Sequence, residues 1–252
     1  MSIKTAVMDG VATIEIARPE KKNAITRAMY TQLANAFDAA REDPAVRAVL
    51  LTGQPGIFTS GNDIEDFVQR PSDEVPPSIT FMKALISCDK PVIAAVTGAA
   101  IGIGTTMLLH CDFVYVSDEA RLAMPFVGLG LVPEFASSLI VPQLMGNARA
   151  AEKLLLGDPF TGVDAVECGI ANAVLPAAEV VRHARRIAER FNTLPPGAVR
   201  ETKRLMRRAR SAAVLETIDV ERQAFGARLQ SPEAKEAFGA FFEKRKPDFS
   251  RF

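Results

Sequence analysis

Two short runs of mainly apolar residues constrain the fold of this chain most strongly. Val46 to Thr52 and Pro91 to Val96 show no alternation between apolar and polar side chains. A strand with one face in water alternates in this way, whereas a strand covered on both faces does not. The two runs therefore predict a sheet with other layers of the protein packed against each face.

The flanking segments predict further strands and helices. Asp9-Gly10 joins two strand-like runs, Ile3 to Met8 and Val11 to Ile16, and favours the positive φ angles of a tight hairpin turn. Thr26 is predicted to cap a helix. The apolar residues of that helix recur at helical spacing, at Met29, Leu33, Ala36, Phe37 and Ala40.

The second half of the chain changes character. From Ala178 the pattern predicts mostly helix, with breaks at Pro195-Pro196 and Ser231-Pro232. Residues 70–78 contain three prolines and predict a mobile surface loop. Strands alternating with helices, followed by helices alone, are typical of an α/β core with a helical C-terminal region.

Composition excludes several classes of protein. Of the 252 residues 48% are hydrophobic, which excludes a disordered chain. Cys88, Cys111 and Cys168 lie far apart and predict reduced core thiols. His110 and His183 show no partner pattern, so we expect structural or exposed histidines and no metal site. No signal peptide or membrane span is visible, so we expect a cytoplasmic protein that does not contact membranes.

The charges balance overall but are unevenly distributed. Residues 1–194 carry a net charge of −5 and residues 195–252 carry +5. Basic residues are densest from Arg182 to Arg210, a stretch compatible with solvated helix faces, subunit contacts or an anionic ligand. Zero net charge and few nearby aromatic residues argue against nucleic acid binding.

Two glycine-containing turns each lead from a strand into a helix. Ile57 to Ile64 and Val96 to Thr106 would both expose main-chain N–H groups, which can hold an anion or a polarised carbonyl. The alternative is an ordinary strand-to-helix turn. Met107 stands where a dinucleotide fingerprint needs its third glycine, and no Gly-Lys-Ser/Thr follows, which disfavours both common phosphate-binding motifs.

One carboxylate stands alone in a long apolar segment. Glu134 is the only acidic residue between Glu119 and Glu152. Two interpretations fit: a residue at the N-terminus of a following helix, or a base whose pKa desolvation raises.

Together, these segments resemble the crotonase superfamily, the enoyl-CoA hydratase/isomerase family. The resemblance covers essentially the whole chain and is carried by Arg18 to Ala24, Ser60-Gly61-Asn62-Asp63 and Gly98 to Asp112. It implies an α/β crotonase-like spiral of repeated β-β-α units over residues 1–194, which binds and transforms acyl-CoA. It also implies that helices of residues 195–252 build a homotrimer, and leaves open whether two trimers stack.

The resemblance further implies an acyl-CoA thioester substrate, with coenzyme A as part of the substrate and no separate cofactor. It assigns an oxyanion hole to the main-chain N–H groups of Ser60 and Ile103; losing one such donor typically costs about 10²–10³ in rate. The thioester and pantetheine region would contact Ser60, Gly61, Asn62, Asp63 and Ile64. The adenine and phosphate end would contact Lys21, Lys22 and Ala24, although both lysines also fit plain solvent exposure.

Departures from the family pattern bear on the reaction. Thr106 and Phe126 occupy the positions of the two glutamates that hydratases of this family use. Glu134 instead matches the single catalytic glutamate of the peroxisomal-type delta3,delta2-enoyl-CoA isomerase branch, whose motif also reads Ser-Gly-Asn-Asp. The sequence therefore favours a double-bond isomerase. The alternatives are a hydratase or another crotonase-type enzyme, and a non-catalytic acyl-CoA-binding protein.

Overall fold

A computed structural model of the chain describes residues 2–68 and 75–252. The strands in these residues are β1 (Ile3–Met8), β2 (Val11–Ile16), β3 (Ala48–Thr52), β4 (Ile57–Thr59), β5 (Val92–Val96), β6 (Ala99–Ile101), β7 (Phe113–Ser117), β8 (Arg121–Ala123), β9 (Phe160–Thr161) and β10 (Ala173–Leu175). The α-helices are α1 (Arg27–Glu42), α2 (Ile64–Val68), α3 (Pro77–Ser87), α4 (Ile103–Thr106), α5 (Ser137–Ala151), α6 (Gly162–Glu167), α7 (Ala177–Glu189), α8 (Pro196–Arg208), α9 (Ser211–Leu229) and α10 (Pro232–Phe242).

The strands of the described residues form two sheets. The larger has the order β1-β2-β3-β5-β7-β10 and the smaller β4-β6-β8-β9. Apart from the antiparallel pairs β1–β2 and β8–β9, all neighbours are parallel. Successive strands alternate between the sheets, since β3, β5 and β7 join the larger and β4, β6 and β8 the smaller. This is the predicted spiral of repeated strand-strand-helix units.

The central strands β3 and β5 of the larger sheet are buried on both faces, as their uninterrupted apolar runs predict. Val49 and Leu51 of β3 face the main core, which α1 and α3 also line. Ala48 and Leu50 point to the opposite side, where Val180 and its neighbours on α7 cover the sheet. The alternation of side chains along a strand sends consecutive residues into these two clusters.

Local signals at the N-terminus are confirmed. Asp9 and Gly10 have φ angles of 50° and 72°, which suits a tight hairpin turn between β1 and β2. The Thr26 side chain accepts a hydrogen bond from the Met29 N–H and caps α1.

The predicted loop over residues 70–78 is partly wrong. Residues 70–74 lie outside the described residues, but Pro77 is the first residue of α3. Proline suits that position, because its fixed φ matches the helix and its missing N–H would have no intrahelical partner.

Three other predictions concern the cysteines, the basic stretch and membrane spans. Cys88, Cys111 and Cys168 are all free thiols. Lys203 lies in the basic stretch, for which solvated helix faces are one interpretation, but it is buried in an ion pair with Asp112. Among the described residues, no helix has the length and apolarity needed to span a bilayer.

Candidate active site

The two glycine-containing turns meet at one end of the smaller sheet. Gly61 has a φ of 95°, and a Cβ there would lie 2.8 Å from the carbonyl oxygen of Ile101. Glycine is therefore needed both for the conformation and for the close approach. This contact brings Asn62, at the end of the first turn, beside the segment that enters α4.

The first predicted oxyanion donor is wrong, because its N–H already has an acceptor. The Ser60 N–H donates to the Lys22 carbonyl oxygen at 3.0 Å. The main-chain N–H of Asn62 has different surroundings, because the residues on either side of Asn62 pair with Ile25. The Gly61 carbonyl accepts from the Ile25 N–H, and the Asp63 N–H donates to the Ile25 carbonyl. Since successive N–H groups of an extended segment point in opposite directions, the Asn62 N–H points away from Ile25. It has no main-chain acceptor among the described residues.

The second predicted donor lies at a helix start. Ile103 is the first residue of α4, where an N–H has no intrahelical acceptor. The preceding Gly102 N–H is used, since it donates to the Ala123 carbonyl at 2.8 Å. No main-chain acceptor for the Ile103 N–H is found in the described part of the chain. Asn62 and Ile103 thus each present a main-chain N–H group without a main-chain acceptor among the described residues, one from each turn.

Glu134 lies in a buried position beside Asn62. The residue is 9% exposed, and its Oε1 accepts a hydrogen bond from Asn62 Nδ2 at 3.3 Å. Tyr30 donates its hydroxyl proton to Asn62 Oδ1, which turns the amide so that its N–H faces the carboxylate. Burial, the larger influence, and the nearby Glu221 carboxylate together raise the pKa of Glu134 to about 8, against the opposing effect of the Asn62 hydrogen bond.

The helix-terminus interpretation of Glu134 is not supported. α5 begins at Ser137, three residues later. The N–H groups of Ala136 and Ser138 at that end donate to the carboxylate of Glu221, at 2.6 and 3.0 Å. The Glu134 carboxylate instead faces Asn62 and is available for proton transfer.

A cavity of about 70 Å³ adjoins Glu134. Its apolar lining includes Ile25, Ile79, Met82, Phe135, Ile218 and Phe225. Ile218, Glu221 and Phe225 belong to α9, a contribution that the sequence did not predict. Tyr30 was missed as well; its place beside Met29 on the buried side of α1 was the only available signal. An apolar pocket with a few convergent polar groups is the usual form of a small-molecule site.

Thr106 and Phe126 are both buried and cannot act as proton-transfer groups at neutral pH. Thr106 Oγ1 has no hydrogen-bond partner in the described part of the chain. Phe126 lies near Gly102, where an added Cβ would be 3.8 Å from its ring.

The remaining predicted site residues surround the first turn. Asp63 is buried, and its carboxylate is held by Arg18 at 2.6 Å. Ile64 begins α2, and the exposed Lys21 lies 3.3 Å from the Glu65 carboxylate. Lys22 is exposed with a φ of 49°. The Ala24 carbonyl accepts from Arg18 at 3.0 Å. Arg18, which the motif contains without an assigned role, thus links the Lys21–Ala24 segment to Asp63.

Known proteins match most or nearly all of the chain. A family model described as enoyl-CoA hydratase/isomerase matches residues 6–251. A probable enoyl-CoA hydratase of Bacillus subtilis is 30% identical over 254 residues, covering 98% of each chain. Human enoyl-CoA delta isomerase 2 is 35% identical over 208 residues, covering 79% of this chain and 52% of the human protein.

A solved structure agrees with these matches. The crystal structure of an enoyl-CoA hydratase/isomerase from Pseudoalteromonas atlantica has a TM-score of 0.94 and 40% identity, covering 99% of this chain and all of that one. Because the family model and the solved structure both match nearly the full length of the chain, the chain belongs to the enoyl-CoA hydratase/isomerase family, the crotonase superfamily.

Proposed function

We propose that this enzyme moves the double bond of a 3-enoyl-CoA to the 2-trans position, with Glu134 as its single base and proton carrier. The observation that carries the proposal is one buried carboxylate, Glu134, that faces an amide donor at an apolar cavity. Its pKa of about 8 suits a group that must gain and lose a proton near neutral pH.

The reaction needs no net change in protons. The Glu134 carboxylate removes a proton from C2 of the substrate, and the electron pair of that C–H bond spreads into a dienolate. Negative charge then gathers on the thioester oxygen, where the N–H groups of Asn62 and Ile103 would stabilise it. The protonated Glu134 returns the same proton to C4, which leaves the double bond between C2 and C3.

Hydration is the second candidate, because the Bacillus subtilis relative is named a probable hydratase. Hydratases of the family use two glutamates, and a second carboxyl group, Glu221, does line the cavity. Its oxygens, however, already accept from the Ala136 N–H and from the N–H and hydroxyl of Ser138. A carboxylate so engaged is poorly placed to activate water, which favours isomerisation.

The proposal extends to the rest of the substrate and to assembly. Lys21, Lys22 and Ala24 would contact the adenine and phosphate end of coenzyme A, and Gly61 to Ile64 the pantetheine and thioester. We further propose a homotrimer built through residues 195–252, located in the cytoplasm, with coenzyme A bound only as part of the substrate.

The decisive experiment compares Glu134→Gln with the unaltered enzyme on 3-hexenoyl-CoA. Removing the base should lower kcat by about 10²–10⁴-fold, the usual contribution of a positioned proton-transfer group. Glu119→Gln is the matched control, since it makes the same change at an exposed residue and should keep full activity.

Three results would contradict the proposal. Full isomerase activity in Glu134→Gln would exclude Glu134 as the base. No activity of the unaltered protein on 3-hexenoyl-CoA would favour a non-catalytic acyl-CoA binder. Hydration of 2-hexenoyl-CoA faster than isomerisation of 3-hexenoyl-CoA by the unaltered enzyme would establish a hydratase instead.

A further inference from the structure

Glu221 is a buried carboxylate far from Glu134 in sequence and close to it in space. It lies on α9 and is 6% exposed. Its Oε2 accepts from the Ala136 N–H at 2.6 Å, and its Oε1 accepts from the N–H and hydroxyl of Ser138, at 3.0 and 2.6 Å. Both oxygens of Glu221 therefore hold the segment that immediately follows Glu134.

That segment has an unfavourable backbone conformation. Phe135 and Ala136 have φ angles of 62° and 56°, in the left-handed region that non-glycine residues avoid. Such a conformation persists only when surrounding contacts enforce it. Because the turn starts directly after Glu134, it sets the direction in which the Glu134 side chain leaves the main chain.

A second contact holds the turn from the other side. The ring of His110 stacks on that of Phe135, with 4.0 Å between centroids, and its Nε2 lies 2.8 Å from the Phe135 carbonyl oxygen. Burial lowers the pKa of His110 to about 3, so the ring is neutral and donates through Nε2–H. The Phe135 carbonyl and the Ala136 N–H are thus held by groups on opposite sides of the turn.

We infer that Glu221 is a positioning residue for the catalytic base: by binding the Ala136 and Ser138 N–H groups, it fixes the left-handed turn that points Glu134 at the substrate. This inference rests on the proposed role of Glu134. It also gives the C-terminal region a part in catalysis, because α9 supplies Glu221.

The charge of Glu221 has a separate effect on Glu134. A nearby negative charge disfavours a second one, so Glu221 raises the pKa of Glu134. The described charged groups that line the same cavity are Arg27, Asp63 and Asp66 on one wall, with Arg222 beside Glu221 on α9. Of these, Asp63 is paired with Arg18, and Arg222 lies 3.7 Å from Asp219. Asn62 and Tyr30 complete the polar groups around Glu134.

The test is Glu221→Gln, which keeps the shape of the side chain but removes its charge and one acceptor oxygen. We expect kcat for 3-hexenoyl-CoA to fall by about 10- to 100-fold, since small misplacements of a reacting group cost rates of that order. KM should stay within about two-fold, because the lost interaction acts on the base rather than on substrate binding. The acid limb of the pH profile of kcat/KM should move to lower pH, because Glu134 loses a neighbouring negative charge.

Glu216→Gln is the matched control, since it makes the same change at an exposed residue of α9. It should leave kcat, KM and the pH profile unchanged. A Glu221→Gln enzyme with lower thermal stability but unaltered kcat and acid limb would overturn the inference, because Glu221 would then only stabilise the fold.

A second variant tests the inference in case Glu221→Gln folds poorly. Glycine adopts positive φ without strain, so adding Ala136→Gly should restore folded protein while the shift of the acid limb remains. Failure of both variants to fold would also overturn the inference, since Glu221 would then support the whole molecule rather than the turn. If Glu134→Gln is inactive but Glu221→Gln is normal, this inference alone fails; an active Glu134→Gln enzyme removes the proposed function itself.

Discussion

At the scale of single residues, the behaviour of Glu134 depends on two neighbours with opposite effects. Asn62 donates a hydrogen bond to the carboxylate and lowers its pKa, whereas the charge of Glu221 raises it. Burial is the largest influence and raises the pKa as well. A base with these neighbours can hold a proton between two steps of a reaction and release it again.

Replacing Asn62 should therefore shift the acid limb of the pH profile in the opposite direction from replacing Glu221. In Asn62→Ala the carboxylate loses its donor, so the pKa of Glu134 should rise and the acid limb of kcat/KM should move to higher pH. We expect kcat/KM at neutral pH to fall about 10- to 100-fold, because a hydrogen bond to a charged group is worth about 1.5–3 kcal/mol. The main-chain N–H at position 62 is kept, so the proposed oxyanion hole should remain.

Tyr30→Phe is the companion variant, since it removes only the hydroxyl that orients the Asn62 amide. Its acid limb should move in the same direction by a smaller amount. Profiles of kcat/KM against pH for the three enzymes measure both shifts. An acid limb that stays in place in Asn62→Ala would show that the amide does not act on the base.

Some residues of the site are predictable from the sequence and others are not. Glu134 is predictable because it is isolated in an apolar segment. The choice between Ser60 and Asn62 as N–H donor is not, because it depends on pairing with Lys22 and Ile25, which no local pattern reveals. Glu221 lies 87 positions from Glu134 on a helix of mixed polarity, so only the fold brings the two together.

At the scale of elements, α8 is attached to the core by one buried ionic cluster. Lys203 Nζ lies 2.6 Å from one carboxylate oxygen of Asp112, and Arg207 lies 2.7 Å from the other. Lys203 also donates to the Lys90 carbonyl at 2.6 Å. Asp112 in turn accepts from the Val92 N–H at 2.8 Å, so it joins α8 to the start of β5.

The partners of this cluster should differ in their effect on stability. Asp112→Ala leaves two cations without their carboxylate, one of them buried, and should lower the free energy of unfolding by about 3–5 kcal/mol. Lys203→Met leaves Asp112 paired with Arg207 and should cost much less. Urea denaturation at a fixed protein concentration measures both values. Equal losses in the two variants would contradict this account.

Elements with a strong local signal were predictable, and those defined by tertiary contacts were not. The Asp9-Gly10 hairpin and the Thr26 cap depend on neighbouring residues alone. The start of α3 at Pro77 was missed, because three prolines in nine residues also suit a loop. The burial of Lys203 was missed because its partner Asp112 lies 91 positions away.

At the scale of the whole molecule, the two oppositely charged parts of the sequence meet. The excess positive charge of residues 195–252 includes Lys203 and Arg207, which pair with Asp112 of the preceding part. Val214 and Ile218 of α9 also belong to the main hydrophobic core. The helical region is therefore packed into the core, and zero net charge conceals an internal complementarity that helps to hold it there.

Two buried titratable groups, His110 and Glu134, should act on stability at opposite ends of the pH range. The folded state keeps His110 neutral, so below its unfolded pKa of 6.5 only the unfolded chain gains that proton, and stability falls as the pH drops towards 3. Glu134 has the opposite sign: its pKa is raised from 4.5 to about 8, so its contribution is complete below pH 4.5 and is lost as the pH rises to about 8.

Glu134→Gln isolates the second effect, because glutamine has no proton to lose. Relative to the unaltered enzyme, this variant should become more stable on going from pH 5 to pH 9, by at most a few kcal/mol, since one pKa unit corresponds to about 1.4 kcal/mol. The acid-side loss should persist in the variant, because His110 is unchanged. Free energies of unfolding of the two proteins at pH 4, 5 and 9 measure both effects. If the difference in stability between the proteins were the same at pH 5 and pH 9, Glu134 would ionise as easily in the folded as in the unfolded chain, which would contradict this prediction.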